Sequence, residues 1–270
     1  MTFINGAGGI IHTWPRDGAP AEPRYASRSF SVIVCAYNEE RFLSDCLQSL
    51  QRQTRPPDEI IVVNNASTDR TREIAAQIPG VRVIDESRKG LVRARDAGHR
   101  AARGEILVYL DADCRAPSGW LERVAHEFAA PRRPVAVTGP YRFYDWDFIG
   151  RALIRTYDLT VAPATHYLAQ SVLGLGAVLY GGNFAVARRS LEDIGGFDTS
   201  IEFHGEDTNL ARRLVKVGPV RLSQACYLYT SARRYKAQGR GKVFRLYVRN
   251  FCSEIFRHRP SDNTHEDIRA

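Results

Sequence analysis

The most constraining feature of the sequence is an alternation of short apolar runs and helical patterns in its N-terminal half. Four runs rich in β-branched residues, at 30–36, 59–63, 81–84 and 105–110, have the character of strands that are buried on both faces. Between them, apolar residues recur at the three- and four-residue spacing of amphipathic helices. Because the connections are short, this alternation predicts an α/β domain with a mostly parallel central sheet and flanking helices.

Beyond residue 120 the alternation becomes irregular. The patterns there predict a strand at 135–139 and the end of another at 185–186. They also predict helices at 149–157, 208–217 and 242–257.

The segment 159–187 contains no Asp, Glu, Lys or Arg and is the strongest candidate in the sequence for a membrane span. Pro163, His166, Gln170 and several glycines interrupt it, so that no run reaches the ~18 consecutive apolar residues of a spanning helix. We therefore expect a segment that is buried or that faces the second substrate.

The size and charge of the chain narrow the class of partner. At 270 residues, with 44% apolar and 25% charged residues, the chain has the composition of one large globular domain. Its formal charge of +8 indicates anionic partners, such as nucleotides or phospholipid headgroups. No nucleic-acid-binding module is recognisable and the basic residues are dispersed, so nucleic acid is not an expected partner.

The cysteines and the N-terminus bear on the compartment. Five widely spaced cysteines without a CxxC pair argue against a zinc site or a disulfide framework, and reduced thiols are typical of the cytoplasm. Residues 1–28 lack the basic and apolar regions of a signal peptide. Their content of Gly, Pro and Ala predicts a weakly ordered lead-in.

Polar clusters follow two of the predicted strands, at the point where each strand ends. Residues 64–69 follow the second strand, and Asp111-Ala112-Asp113 follows the fourth. Ligands of parallel sheets bind outside the carboxyl ends of the strands, so we expect a ligand site there.

Paired carboxylates at such a position are costly to bury unless a cation accompanies them. A hard divalent ion, Mg²⁺ or Mn²⁺, shared with substrate phosphates, suits their oxygen atoms. The alternative is an ordinary turn or helix-capping role for the two aspartates.

Six motifs occur in an order and at spacings that resemble the family 2 glycosyltransferases with the GT-A fold. They extend over about two thirds of the chain, roughly residues 30–217. Each motif alone is a weak indication of the family, but six in this order are a specific one. The motifs are FSVIVCAYNEE, EIIVVNNASTD, KGLVRARDAG, ILVYLDADCRAPSGWL, GGNFAVARRSLEDIGGFD and GEDTNLARRL. The resemblance implies a Rossmann-like nucleotide-binding half, an acceptor-binding half, and transfer of a sugar from a nucleoside-diphosphate sugar to an acceptor hydroxyl with inversion.

The resemblance also places seven residues around the nucleotide. After the second strand the family carries an aspartate, whereas this chain carries two amides; an amide still pairs with a base edge, so the preferred base stays open. For the two basic residues of the set, surface charge is the alternative. The seven are Ala36, Tyr37 and Glu39 after the first strand, Asn64 and Asn65 after the second, and Lys89 and Arg93 near the next helix.

The acidic residues receive roles from the same resemblance. Asp111 contacts the ribose or the metal, with Ala112 beside it, and Asp113 ligates the divalent cation that bridges the diphosphate. Inversion needs a base to take the proton of the acceptor hydroxyl. In GEDTNL, Asp207 is the expected base and Glu206 shapes the pocket, while helix capping is the alternative for Asp207.

Three further segments complete the expected site. Gly182-Asn183 lies by the sugar and the acceptor in the family, with a plain turn as the alternative. His204 is a candidate neighbour of the metal or the leaving group, although a lone histidine is more often structural. Arg234, in the basic segment SARRYKAQGR, is expected to close over the diphosphate, because guanidinium groups bind phosphate in a bidentate manner.

These assignments predict a catalytic domain at 29–230, divided into a nucleotide-sugar half (29–120) and an acceptor half (121–230). Residues 231–270 hold the basic loop and an amphipathic helix, which either rests on an anionic membrane surface or packs on the catalytic domain. The expected acceptor is a carbohydrate or a glycolipid of the cell envelope or cell surface. The expected location is the cytoplasm, with the inner face of the plasma membrane as the place of lipid contact.

Two other functions would use similar residues. A nucleotidyltransferase that makes nucleotide-sugars also needs acidic metal ligands, but it would carry a glycine-rich basic loop after the first strand, where this chain has CAYNEERF. A non-catalytic binding module would have no need of both DAD and ED. Transfer of a sugar is the interpretation that uses all of these features.

Overall fold

A computed structural model describes residues 28–130, 133–201 and 205–257. Within those ranges the side chains of Cys252, Phe256 and Arg257 are not described. The predicted lead-in, apart from Arg28, and His204 lie outside the described residues.

The N-terminal half alternates strands and helices as the apolar pattern predicts. Strands begin within one residue of the expected positions, and each helix ends near a Pro, Gly or polar turn. The elements are β1 (Phe30–Ala36), α1 (Leu43–Gln51), β2 (Glu59–Asn64), α2 (Thr71–Gln77), β3 (Val81–Asp85), α3 (Leu91–Ala101), β4 (Ile106–Asp111) and α4 (Trp120–Phe128).

The second half has short strands between helices of unequal length. A π-helical turn, Leu168–Val172, directly follows α6. The elements are β5 (Ala136–Thr138), β6 (Tyr141–Phe143), α5 (Phe148–Leu159), α6 (Val161–Tyr167), β7 (Asn183–Ala187), α7 (Arg188–Asp193), α8 (Glu206–Leu214), β8 (Val220–Leu222), β9 (Leu228–Thr230), α9 (Arg233–Gln238) and α10 (Arg240–Arg257).

Seven strands form the central sheet in the order β3-β2-β1-β4-β7-β5-β8. The strands β1 to β4 run parallel, and β5 pairs parallel with β8, which confirms the mostly parallel sheet. β7 runs antiparallel between β4 and β5, a direction that apolar content alone does not reveal. A small second sheet pairs β6 with β9 in parallel.

Two apolar layers cover the faces of the sheet. One packs α1, α2 and α4 against β1, β2 and β4, with Trp120 and Phe128 fully enclosed. The other packs α3, α7 and α8 against the opposite face, where Tyr109 stacks on Phe184 at 4.7 Å between ring centroids. Because both faces are covered, the ends of the strands are the part of the sheet that is open to a ligand.

Two segments of the second half are exposed in part. The uncharged segment 159–187 is buried only in part, because Val161, Tyr167 and Val172 are at least half exposed. On α10 the predicted apolar stripe is divided, since Phe244 and Tyr247 are exposed whereas Ile255 is buried. The buried face of α10 also carries Val243, Asn250 and Glu254.

Among the described residues, no helix is both long enough and apolar enough to cross a bilayer.

Candidate active site

The acidic turn after β4 lies against two consecutive glycines. β4 pairs with β7 from Ile106 to Leu110, and the backbone N–H of Asp111 donates to the carbonyl of Gly182 at 3.3 Å. A Cβ on Gly182 would overlap the carboxylate of Asp111 and the hydroxyl of Tyr141. Only glycine therefore allows Asp111 to sit this close to the backbone.

Asp207 reaches the neighbouring glycine from the other side. Gly205, at φ +84°, turns the chain into α8, and Asp207 is the second residue of that helix. Oδ2 of Asp207 lies 3.4 Å from the Cβ position of Gly181, while its Oδ1 accepts the backbone N–H of Thr208 at 2.7 Å. The predicted metal site and the predicted base therefore meet across one turn.

A buried arginine holds the acidic start of α8. Arg95 on α3 donates to Glu206 at 3.2 Å and to the carbonyl of Gly181 at 2.6 Å. Its guanidinium also lies 5.6 Å from the ring of Phe184. Arg95 is 3% exposed and Glu206 is partly buried, so removing Arg95 would leave this carboxylate without its partner.

Sequence reasoning selected Arg93 and missed Arg95. The available signal was the helical spacing: Arg95 lies three residues after Val92, on the same inward face of α3. Arg93 is half-buried, and its side chain folds over Gly90, 3.5 Å from the Cβ position of that glycine.

Burial raises the pKa of Glu206 and of Asp207. For Glu206 the charge of Asp207 adds to the rise, and Arg95 opposes it; for Asp207 the hydrogen bond from Thr208 and the charge of Arg95 oppose it. A carboxylate with a raised pKa is a stronger proton acceptor, as a general base requires.

Asp113 is paired with an arginine from the C-terminal part of the chain. Nε of Arg233 lies 3.0 Å from Oδ2 of Asp113, and the same guanidinium donates to both oxygens of Glu39, at 2.9 and 2.5 Å. Oδ1 of Asp113 accepts the hydroxyl of Thr230 at 3.3 Å. Asp113 and Glu39 are both buried, so β1, β4 and α9 bring their charges into one enclosed cluster.

Burial raises the pKa of Asp113 to about 7. The charge of Arg233 opposes the rise, and the neighbouring Asp111 and Glu39 add to it. The cluster therefore holds more negative charge than its one arginine balances, which is an environment that favours a further cation.

The oxygen atoms of this cluster fit a hard divalent cation. Asp111 and Asp113 present carboxylates, and a guanidinium already occupies a cation position beside Asp113. Among residues 28–130, 133–201 and 205–257, no three His, Cys, Asp or Glu side chains form a ready-made metal site. An ion such as Mg²⁺ needs only one or two carboxylates when water and phosphate oxygens complete its shell.

The residues expected around the nucleotide form two groups. Tyr37 and Lys89 are joined: Nζ of Lys89 donates to the hydroxyl of Tyr37 at 2.8 Å and lies 3.9 Å from the ring centroid. Ala36 is buried, and its carbonyl accepts the backbone N–H of Asn65 at 2.8 Å. Ala112 is buried in the core beneath the acidic turn.

The two asparagines after β2 hold the neighbouring loop. Asn64 donates to Asp85 at 2.9 Å. Asn65 donates to the carbonyls of Glu86 and Arg88, at 3.1 and 2.9 Å, and accepts the N–H of Gly90 at 2.8 Å. Both amides thereby fix the loop that carries Lys89.

Asn183 is turned into the protein. It is buried, and its amide donates to the carbonyls of Gly139, Pro140 and Cys226. These bonds tie β7 to the end of β5 and to the loop before β9, and so hold the glycines that precede Asn183 beside the carboxylates.

Arg234 lies near the same carboxylates. Its Nη1 donates to the hydroxyl of Tyr247 on α10 at 2.9 Å. Burial lowers the pKa of Arg234, but the hydrogen bond to Tyr247 and the negative charges of Glu206 and Asp111 outweigh it and raise that pKa. The short helix α9 thus supplies two neighbouring arginines to the acidic site.

Comparison with known proteins identifies the class. Residues 31–195 match the model of the family described as Glycosyl transferase family 2. The chain therefore belongs to family 2 of the glycosyltransferases, as the motifs predict.

Two relatives illustrate the extent of the similarity. The chain is 36% identical over 116 residues to an uncharacterized glycosyltransferase, EpsJ, of Bacillus subtilis (strain 168), covering 42% of this chain and 34% of that protein. It is 30% identical over 223 residues to polypeptide N-acetylgalactosaminyltransferase 12 of Mus musculus, covering 73% of this chain and 38% of that protein. The aligned parts thus span little more than a third of these relatives.

Solved structures confirm the GT-A fold. The mannosyltransferase PcManGT from Pyrobaculum calidifontis, in complex with GDP-Man and Mn²⁺, superposes with a TM-score of 0.64 at 24% identity, over 91% of this chain and 67% of that one. Glucosyl-3-phosphoglycerate synthase from Mycobacterium tuberculosis, in complex with Mn²⁺, UDP-Glc and phosphoglyceric acid, gives a TM-score of 0.62 at 22% identity, over 90% and 86% of the two chains.

Proposed function

We propose that this chain transfers a sugar from a nucleoside-diphosphate sugar to an acceptor hydroxyl, with inversion and with the assistance of a divalent cation. The observation that carries the proposal is the approach of Asp111 to Gly182 and of Asp207 to the adjacent Gly181, with Asp113 two residues beyond Asp111 and paired with Arg233. A metal-binding pair and a base are needed on opposite sides of a reacting sugar, and this arrangement supplies both within one site.

The reaction is a single displacement. The acceptor oxygen attacks the anomeric carbon and forms the new glycosidic bond. The bond from that carbon to the diphosphate oxygen breaks, and the diphosphate takes the electron pair. The acceptor proton passes to Asp207, whose orientation is set by the N–H of Thr208 and whose basicity is increased by burial.

A bound divalent cation offsets the negative charge that grows on the departing diphosphate. Asp113 and Asp111 would hold that cation by their carboxylate oxygens. Arg233, which pairs with Oδ2 of Asp113, would be placed to bind a phosphate oxygen of the donor.

Residues around β1 and β2 bind the nucleoside. Tyr37 offers an aromatic face, and Lys89 a cation beside it. Glu39 is assigned to the ribose or the base. The amides of Asn64 and Asn65 act on the nucleotide through the loop that they hold in place, in addition to any direct contact with the base. Arg93, on the adjoining helix, borders that loop.

Other members of the site act on the phosphates and the sugar. Arg234 adds positive charge from α9 beside the diphosphate. Gly182 allows the sugar to approach the backbone, and Asn183 anchors the strand that carries this turn.

The acceptor in this proposal is a carbohydrate or a glycolipid used in cell-envelope or cell-surface synthesis. The cytoplasm is the proposed compartment because nucleotide-sugars and reduced thiols belong to it, and the described cysteines Cys35, Cys46, Cys114 and Cys226 are free. The mouse relative is named for transfer of N-acetylgalactosamine to polypeptides, which makes a protein hydroxyl a further acceptor to include in assays.

The test is the release of nucleoside diphosphate from a panel of nucleotide-sugars with Mn²⁺, with and without EDTA. We expect Asp113→Asn to lower metal-dependent turnover by about 100-fold or more, because a bound metal supplies several kcal/mol of charge stabilisation. Asp45→Asn is the matched control, since Asp45 is half-exposed and pairs only with Arg115 at the surface. Undiminished transfer by folded Asp113→Asn protein contradicts the proposal.

The same assay separates the two rival functions. Release of pyrophosphate from a nucleoside triphosphate and a sugar phosphate identifies a nucleotidyltransferase. Metal-dependent binding without turnover, across a broad panel of acceptors, identifies a binding module.

A further inference from the structure

Exposed apolar side chains are concentrated on one part of the surface. Among the described residues, only Val217 and Tyr229 are large, apolar and exposed outside this region. Three lie on α10 and nine between residues 148 and 173. They are Phe244, Tyr247 and Val248, and Phe148, Ile149, Leu153, Leu159, Val161, Tyr167, Leu168, Val172 and Leu173.

These side chains belong to one continuous surface, which we call the α5–α10 face: the outward sides of α5, α6, the π-helical turn and α10. The ring of Tyr157 on α5 meets that of Phe244 on α10 edge-on, with centroids 6.3 Å apart. Arg240 at the start of α10 pairs with Asp147 at the start of α5. The turn after α6 directly continues α5 and α6 along the chain.

The face lies at the β8 edge of the central sheet. His166 on α6 contacts the carbonyl of Val220 at 3.1 Å, and Gln170 accepts the N–H of the same residue at 2.8 Å. Val220 begins β8, the last strand of the sheet. The opposite edge is β3, which packs against α2.

The charges around this face have one sign. Arg151 on α5 and Lys242, Arg245 and Arg249 on α10 are exposed. The acidic residues within α5, α6, the π-helical turn and α10 are only Asp158 and Glu254, both of which are buried. Asp147, at the start of α5, is paired with Arg240.

We infer that the α5–α10 face docks on the surface of an anionic lipid bilayer. An apolar band with basic residues at its margins gains free energy both from burial among acyl chains and from anionic headgroups. A second copy of this chain would set the same arginines and lysines against each other, so self-association lacks the charge complementarity that lipid provides. Contact is peripheral, because none of the described helices is long and apolar enough to span the bilayer.

The docked face adjoins the candidate active site. Tyr247 belongs to the exposed apolar set, and its hydroxyl accepts a hydrogen bond from Arg234. Arg234 in turn feels the charges of Glu206 and Asp111. Docking therefore brings the site to the bilayer surface, where headgroup-linked acceptors reside.

The experiment is flotation of the full chain with vesicles of phosphatidylglycerol and phosphatidylcholine, and with phosphatidylcholine vesicles alone. The test variant is Ile149→Glu with Leu153→Glu, at positions that are 64% and 62% exposed and that are not among the candidate active-site residues. The matched control is Ala76→Glu with Gln77→Glu, two exposed positions on α2 at the β3 edge, because it changes the net charge by the same amount. Ile149→Gln with Leu153→Gln removes apolar surface without adding charge.

We expect the unaltered chain to bind the anionic vesicles. Both double variants at positions 149 and 153 should reduce this binding by about tenfold or more, and the double variant at positions 76 and 77 should leave it nearly unchanged. Absence of binding by the unaltered chain overturns the inference, as does equal loss in the 149/153 and 76/77 glutamate variants. The inference is also overturned if the unaltered chain does not bind vesicles but forms a dimer that the 149/153 variants dissociate. That result assigns the α5–α10 face to contact with a second copy of the chain. Donor hydrolysis in solution stays unchanged in these variants, so the result is independent of the proposed sugar transfer.

Discussion

At the scale of the residue, two adjacent glycines determine how closely the acidic side chains approach each other. Gly182 has no space for a Cβ, because the carboxylate of Asp111 and the hydroxyl of Tyr141 fill it. The Cβ position of Gly181 has its nearest neighbours at 3.4 Å, which is ordinary van der Waals contact. The chemistry of the site therefore depends unequally on two residues that look equivalent in the sequence.

This difference gives a prediction for Gly182→Ala. The added methyl group displaces Asp111 from the turn, and forced overpacking of this kind costs about 1–3 kcal/mol. We expect transfer and metal-dependent nucleotide affinity each to fall by about tenfold or more, measured by turnover and by titration calorimetry with Mn²⁺ and nucleoside diphosphate.

Gly181→Ala is the control for that experiment. Its backbone is not in the left-handed region, and its new methyl group meets Arg95 and Asp207 at a normal distance. A much smaller effect than that of Gly182→Ala is expected. Equal effects would show that the approach of Asp111 to Gly182 is irrelevant to the reaction.

Sequence reasoning selected the acidic residues of the candidate site but not all of their partners. Asp111 and Asp113 were recognisable because a buried strand ends directly before them. The helical spacing of α3 indicates that Arg95 points inward, but its partner Glu206 lies 111 residues further along the chain. The pairing of two residues so far apart leaves no local pattern.

At the scale of the element, α9 joins the C-terminal segment to the nucleotide half. Arg233 connects this short helix to Glu39 beyond β1 and to Asp113 beyond β4. The two buried carboxylates depend on this guanidinium for charge compensation until another cation is present.

Arg233→Met is therefore expected to destabilise the free protein and to increase its response to metal. Without the guanidinium, the two buried carboxylates of Glu39 and Asp113 lose their partner, which lowers the stability of the free protein. A divalent ion then binds Asp113 without competition from the Arg233 side chain. The thermal midpoint of the variant should be lower than that of the unaltered chain without metal, and Mn²⁺ alone should raise it by a larger amount, as measured by differential scanning fluorimetry.

Lys236→Met provides the comparison on the same helix. Lys236 is half-exposed and pairs with Asp145 at 3.0 Å, an ion pair of the kind that contributes little. Its response to Mn²⁺ should match that of the unaltered chain. A response of Arg233→Met no greater than this control would contradict competition between Arg233 and the metal.

At the scale of the whole molecule, ligand binding should stabilise the domain as a unit, because the site draws on β1, β4, β7, α8 and α9. Mn²⁺ with the preferred nucleoside diphosphate, at about 100 times its dissociation constant, adds about 2.7 kcal/mol. For a domain near this size that corresponds to a rise of about 5–10 °C in the thermal midpoint.

The measurement is a thermal-shift series over nucleoside diphosphates with different bases. Addition of EDTA should abolish most of the rise, and Asp113→Asn protein should show little of it at the same ligand concentrations. If every nucleotide gives the same small shift with and without Mn²⁺, the metal-bridged mode of donor binding is wrong.

The sequence by itself determined the strand and helix order of the N-terminal half and the position of its carboxylates. Both depend on local features: apolar periodicity, and polar turns at the ends of buried strands. Tertiary structure decided the antiparallel direction of β7, the burial of Arg95, the pairing of Arg233 with Asp113, and the outward position of Phe244 on α10. These outcomes depend on contacts between residues that are far apart in the sequence. An amphipathic pattern does not by itself determine which side of a helix is buried, because that depends on the neighbour that covers it, as α8 does for α10.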